Sequence, residues 1–201
     1  MKKNYMPIIT PIVIILLFLI TRTVINRNNS SGNTQAEAFG PSNDTASVNI
    51  SAEYVPMDRG FGQVGSFTTT DMDNNTVTEE IFSKKPVTFI YYWATWCGAC
   101  RNALAGFPAL YEKYSDNVTF ITIIDDGAGN TAAESLVAQH LENYVNLLPT
   151  AALVEPIRSR FIPTSVIVDS SGYLLIDKII GAPGDFGEFI DTALEIVNSG
   201  L

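Results

Sequence analysis

The sequence predicts an α/β sandwich around a mixed central sheet, with a small β-hairpin ahead of it and one apolar segment at the N-terminus. Three observations predict this. Apolar, β-branched runs at Val87–Tyr92, Val118–Ile124 and Phe161–Asp169 have the length and composition of buried strands. Helically spaced apolar residues follow the first two, which implies parallel crossovers. The tight turn Ser170–Gly172 follows the third, which implies an antiparallel return through Tyr173–Ile180.

At 201 residues, the chain has room for one membrane segment and one ordinary domain. Four of its 12 basic residues (Lys2, Lys3, Arg22, Arg27) flank the N-terminal apolar run, and every acidic residue lies at Glu37 or later. From residue 28 onward, 8 basic residues face 21 acidic ones, a balance of −13. Such a domain lacks the basic face that nucleic-acid phosphates require, so nucleic acid is excluded as a partner.

Residues 1–5 carry two lysines, and residues 6–25 form an apolar stretch at the lower limit of a spanning helix. A cleaved signal peptide is the alternative. A retained anchor is favoured because no small-residue cleavage site follows the run directly. The lysines place the N-terminus in the cytoplasm and the rest of the chain outside. Residues 26–59 are assigned to a flexible tether, rich in Asn, Ser, Thr, Gly and Ala up to about Asn49. The domain is assigned to 60–201, although Val48–Val64 fits either tether or domain.

Within the domain, Ser66–Thr70 and Thr76–Thr78 bracket a turn-rich loop and read as the hairpin. Glu79–Ser83 suits a short helical turn, and Val87–Tyr92 is the first strand. The following helix carries Ala103, Leu104, Phe107, Leu110, Tyr111 and Tyr114 at helical spacing. Val118–Ile124 ends at Asp125 and Asp126, which read as a solvated strand end rather than a metal site. A helix is expected over Thr131–Tyr144, capped by Thr131 with Glu134 three residues on. His140 within it has no partner implied by spacing. Leu147–Phe161 suggests one short helix broken near Pro156. Gly181–Gly184 breaks the chain before a final amphipathic helix over Asp185–Asn198.

The chemistry concentrates at Cys97 and Cys100, the only cysteines in the chain. They sit where the first strand turns into a helix. A thiol there faces free backbone N–H groups and the positive end of the helix dipole, so its thiolate is favoured. Cys100 falls on the inward stripe and Cys97 at the exposed start. The pair can close into a small-loop disulfide and reopen. A metal half-site or two merely packed thiols are the alternatives, but a structural zinc needs four ligands, and only His140 is added to the pair.

Three stretches carry a family resemblance: Trp93-Ala-Thr-Trp-Cys-Gly-Ala-Cys100, Ile162-Pro-Thr-Ser-Val-Ile-Val-Asp-Ser-Ser-Gly172, and the anchor with its tether. The chain resembles the thioredoxin superfamily, in particular the membrane-anchored TlpA/ResA-like thiol–disulfide oxidoreductases of bacteria, over roughly residues 60–200. The resemblance implies a thioredoxin-like sandwich with no cofactor beyond a redox-active Cys97–Cys100 disulfide. Cys97 would attack and Cys100 resolve, with Gly98 and Ala99 as the loop between them. Pro163 would be a cis-proline beside the sulfurs. Ile162 and Thr164 would help bind an extended substrate, and Trp96 would cover one flank. It also implies extracytoplasmic protein thiols or disulfides as substrates, an integral-membrane electron-transfer partner, and a single-pass location in a bacterial cell membrane.

The chain departs from this pattern at three places. Tyr91 stands where thioredoxins bury an acid, and Ala103 where TlpA/ResA-like proteins often carry a glutamate. Pro108, expected to kink the active-site helix, comes one turn late. The proton acceptor for Cys100 therefore has no obvious occupant; water or a carboxylate such as Asp125 would have to serve. Because Gly98 and Ala99 supply no cationic donor to a thiolate, a reductant is expected. An oxidase that installs disulfides, and a non-catalytic adaptor of the same fold, are the competing uses.

Overall fold

The computed structural model describes residues 54–200. The expected cytoplasmic N-terminus, the anchor at 6–25 and most of the expected tether lie outside them. Among the described residues, no helix is long and apolar enough to cross a membrane.

The hairpin comprises β1 (Thr68–Thr70) and β2 (Thr76–Thr78), paired antiparallel, and a 3-10 turn spans Glu79–Lys84. The rest alternates: β3 (Val87–Trp93), α1 (Gly98–Leu104), α2 (Phe107–Tyr114), β4 (Val118–Ile124), α3 (Thr131–His140), β5 (Val145–Leu147), α4 (Ala151–Val154), β6 (Thr164–Asp169), β7 (Ile179–Ile180) and α5 (Gly187–Ser199). The main sheet runs β5-β4-β3-β6-β7. β3, β4 and β5 are parallel, while β6 and β7 run antiparallel to their neighbours, which is the expected mixed sheet.

Alternation along β3 divides the core into two layers. Val87, Phe89, Tyr91 and Trp93 face one side, where Leu104, Phe107, Ala133, Phe186 and Ile190 of the helical layer and its approaches cover them. Ile90 faces the other, against Ile81, Phe82, Ile121, Leu153 and Val166. Phe107 organises the first layer: its ring lies 4.7 Å from Tyr91, 5.5 Å from Tyr144 and 5.7 Å from Phe186. Full burial of one such ring stabilises the fold by about 1.5–3 kcal/mol.

Four local expectations are corrected. The helix after Cys97 is two helices, broken at Ala105–Gly106; Pro108 lies in the first turn of α2, where its missing N–H costs nothing, instead of kinking a continuous helix. α3 is capped by Asn130, whose Oδ1 accepts from the amides of Ala132 and Ala133, and not by Thr131. It ends at His140 rather than Tyr144, because Asn146 draws the chain into β5. The Asn146 side-chain amide donates to the carbonyls of Leu141 and Tyr144 while its oxygen accepts from Thr122. The return after Gly172 is not one strand: Val168 pairs with Leu174 and Ser165 with Ile179, so four residues on the return face two on β6, a bulge that confines β7 to two residues.

Residues 54–64, ambiguous in sequence, lie against the domain. Val64 N donates to Gly172 O, Leu174 N donates to Gly62 O, and the Tyr54 hydroxyl donates to Asp169 at 2.6 Å. The hairpin closes the other edge of the sheet: the Thr69 hydroxyl and Thr70 carbonyl bond the chain at Leu148, just beyond β5.

Candidate functional site

β3 ends at Trp93, and the loop Ala94–Trp96 turns back to start α1 at Gly98. Cys97 is the N-cap residue, and its Sγ accepts from the Cys100 amide at 3.1 Å. Cys97 and Cys100 form a disulfide, with Cα atoms 5.2 Å apart. Both cysteines are buried, Cys100 fully and Cys97 with 7% exposure, so the exposed start expected at Cys97 is reduced to a small opening.

β6 brings the second half. It runs antiparallel to β3, and Thr164 pairs with Tyr92 at the end nearest the cysteines. The Ile162–Pro163 peptide bond is cis, and the Ile162 carbonyl oxygen lies 3.7 Å from Cys97 Sγ. Ile162 is half-buried, Pro163 and Thr164 are buried, and Trp96, Gly98 and Ala99 are exposed. The fold thus brings these candidate residues to one end of the sheet, with the Ile162 carbonyl beside the sulfur of Cys97.

Beneath α1, Tyr91 is fully buried and donates its hydroxyl to the Cys100 carbonyl at 3.3 Å. Burial raises its pKa far above that of a free phenol, so the group stays neutral and cannot act as a base near neutral pH. Asp125 is engaged elsewhere. Its carboxylate accepts from Tyr92, whose ring packs in the layer opposite the cysteines.

Asp126 is the residue sequence reasoning passed over. Its carboxylate accepts from both the amide and the hydroxyl of Thr95, and Asn130 braces it with a side-chain amide 3.3 Å from the same carboxylate. It therefore holds the loop carrying Trp96 and Cys97. The available signal was its place at the carboxyl end of a parallel strand, where sites in α/β sheets gather. Ser159 was also missed. Its hydroxyl accepts from Phe161 N at 3.0 Å and lies 2.8 Å from the Thr164 hydroxyl, which steadies the approach to Pro163. Among the described residues, no three His, Cys, Asp or Glu side chains are placed to hold a metal.

Comparison with known proteins agrees with this geometry. The family model described as Thioredoxin matches residues 68–155. A thioredoxin of Mycoplasma genitalium is 30% identical over 96 residues, 45% of this chain and 85% of that protein. The chain belongs to the thioredoxin superfamily. It is also similar to the thiol–disulfide oxidoreductase ResA of Bacillus cereus, 26% identical over 117 residues, 58% of this chain. The ResA of Bacillus thuringiensis subsp. konkukian is 25% identical over 111 residues, 55% of this chain. The match spans 66% and 64% of the lengths of these two relatives, and it supports the TlpA/ResA-like resemblance. Two solved structures share the fold. The thiol:disulfide interchange protein of Chlorobium tepidum TLS superposes with a TM-score of 0.57 at 19% identity, covering 70% of this chain and 99% of that one. The exposed lipoprotein thioredoxin of Streptococcus pneumoniae gives 0.54 at 20%, covering 65% and 99%.

Proposed function

We propose that this protein is an extracytoplasmic thiol–disulfide oxidoreductase that reduces disulfides of exported or cell-surface proteins. The observation that carries the proposal is the Cys97–Cys100 disulfide at the start of α1, with Cys97 7% exposed, Cys100 fully buried, and the Ile162 carbonyl 3.7 Å from the Cys97 sulfur.

In the reduced protein, the Cys97 thiolate receives the Cys100 amide and the positive end of α1, which lowers the free energy of the charged form. It attacks one sulfur of a client disulfide, and the other client sulfur leaves as a thiolate and takes a proton. Cys100 then loses its proton, attacks Cys97 Sγ and expels the first client sulfur. Two electrons pass to the client, and Cys97–Cys100 becomes the disulfide. A dithiol of an integral-membrane electron donor restores the reduced pair by the same exchange run backwards.

The backbone at Ile162–Thr164 holds an extended client segment beside the sulfurs, and Trp96 covers one flank. The proton of Cys100 goes to water, since Tyr91 stays neutral and Asp125 is turned away. The N-terminal apolar segment at 6–25 anchors the domain to the membrane.

Reduction rather than oxidation is supported by Gly98 and Ala99, which bring no side-chain donor to the thiolate. Superfamily oxidants stabilise that thiolate strongly and reach about −120 mV, against about −270 mV for thioredoxin. Equilibration of the full-length protein in detergent with glutathione buffers tests this directly. A potential nearer −270 mV supports the reductant, and one near −120 mV overturns it. A Cys100→Ala variant should accumulate mixed disulfides with clients, whereas a non-catalytic adaptor would form none.

A further inference from the structure

Phe161 is the feature of this end of the molecule that the redox mechanism leaves unused. Its side chain is 67% exposed, as much as that of Trp96. The backbone of Phe161 is held by hydrogen bonds at both its amide and its carbonyl. Its amide donates to Ser159 Oγ at 3.0 Å. Its carbonyl accepts from the buried Thr164 hydroxyl at 2.7 Å, with Ser159 Oγ 2.9 Å from the same oxygen. The next residue, Ile162, supplies the carbonyl nearest Cys97 Sγ. A phenyl ring is thus presented to solvent from a rigid backbone, one residue from the point where a client must bring its own sulfur. Ordering an exposed ring gives the isolated domain no apolar burial, but it removes part of the entropy cost when a partner covers the ring.

We propose that Phe161 is a specificity-determining residue which, with the exposed Trp96 next to Cys97 in the chain, selects extended clients whose reacting cysteine is flanked by a large apolar or aromatic side chain. The occupant is fixed by chemistry. The client sulfur must meet Cys97 Sγ, and in an extended segment the neighbouring residue lies roughly 3.3 Å along the chain, within reach of a phenyl ring. This inference rests on the thiol–disulfide reading above.

The test uses three disulfide-linked peptide dimers that differ only in the residue beside the cysteine: Phe, Ala or Glu. The reduced full-length protein, held in detergent, is mixed with each, and kcat/KM is measured. Wild type should favour Phe over Ala by about tenfold, the scale expected for one apolar contact, and should favour Phe over Glu as well. Phe161→Ala should bring the Phe-to-Ala ratio to about twofold or less, and Phe161→Tyr should restore it. Equal rates on all three peptides in wild type, or a ratio unmoved by Phe161→Ala, overturn the inference while leaving the redox function standing. A wild-type protein that reduces none of the three overturns both.

Discussion

The hydroxyl of Tyr91 reaches the carbonyl of Cys100 at 3.3 Å from a fully buried ring. A neutral hydrogen-bond donor thus lies beneath Cys100, where the superfamily commonly buries an acid. It ties α1 to β3 without offering a charge that titrates with the thiols.

Tyr91→Phe should therefore cost about 1 kcal/mol of stability, the worth of one hydrogen bond, and leave the pH profile of thiol–disulfide exchange unchanged. Tyr91→Asp should be more destabilising, because it buries a carboxyl and leaves a cavity. It should also add a second titration to the exchange rate, from an acid whose pKa burial raises. Stopped-flow exchange rates between pH 5 and 9 distinguish the two variants. A new titration in Tyr91→Phe would refute the assignment.

Alkaline pH should destabilise the fold. Burial raises the pKa of Tyr91 and Tyr144, and burial together with Asp169 pushes Tyr54 to about 12. Above the unfolded value of about 10, the unfolded chain releases these protons while the folded chain keeps them. Stability present below pH 10 is then lost as pH rises towards the folded values, by up to about 1.4 kcal/mol per pH unit for each fully buried group. The melting temperature should fall between pH 9.5 and 11.5, and more gently in Tyr144→Phe.

Asp126→Ala should loosen the loop that carries Trp96 and Cys97. It removes the acceptor for both Thr95 groups at a cost of about 1–3 kcal/mol. In the reduced protein, Cys97 should show a changed pH dependence of alkylation, and Asp126→Asn, which keeps an acceptor oxygen, should lie closer to wild type. Identical alkylation profiles in all three proteins would show that Asp126 has no influence on the sulfur.

Gly172→Ala should be costly, because the position is buried. Gly172 has φ +82°, and a Cβ there would sit 2.4 Å from the Val64 carbonyl. The left-handed conformation alone costs an alanine about 1 kcal/mol or more, and the clash displaces residues 62–64 from the turn. Amide exchange should accelerate first at Val64 and Leu174, with the redox site unaffected.

What the sequence made legible follows from how local each cause is. β3, β4 and β6 carry their own apolar patterns, and the cysteine pair with the Ile162–Pro163 step marks the site without help from distant residues. The three-residue β5 carries no period of its own and exists because Asn146 bonds Thr122, Leu141 and Tyr144 at once. Tyr173–Ile180 reads as one strand because its apolar pattern runs through the bulge. Asp126 looked like a solvated strand end because its partners, Thr95 and Asn130, come from two different loops.

The docking of residues 54–64 has a mechanical consequence. They meet the fold beside Asp169 and Gly172, at the end of β6 that pairs with Val87, whereas Cys97 follows Trp93 at the opposite end of β3. Seven strand residues separate the two poles by roughly 20 Å. A load applied to the chain ahead of Tyr54 would be met first at the Asp169–Leu174 turn, at the pole of the sheet away from the sulfurs.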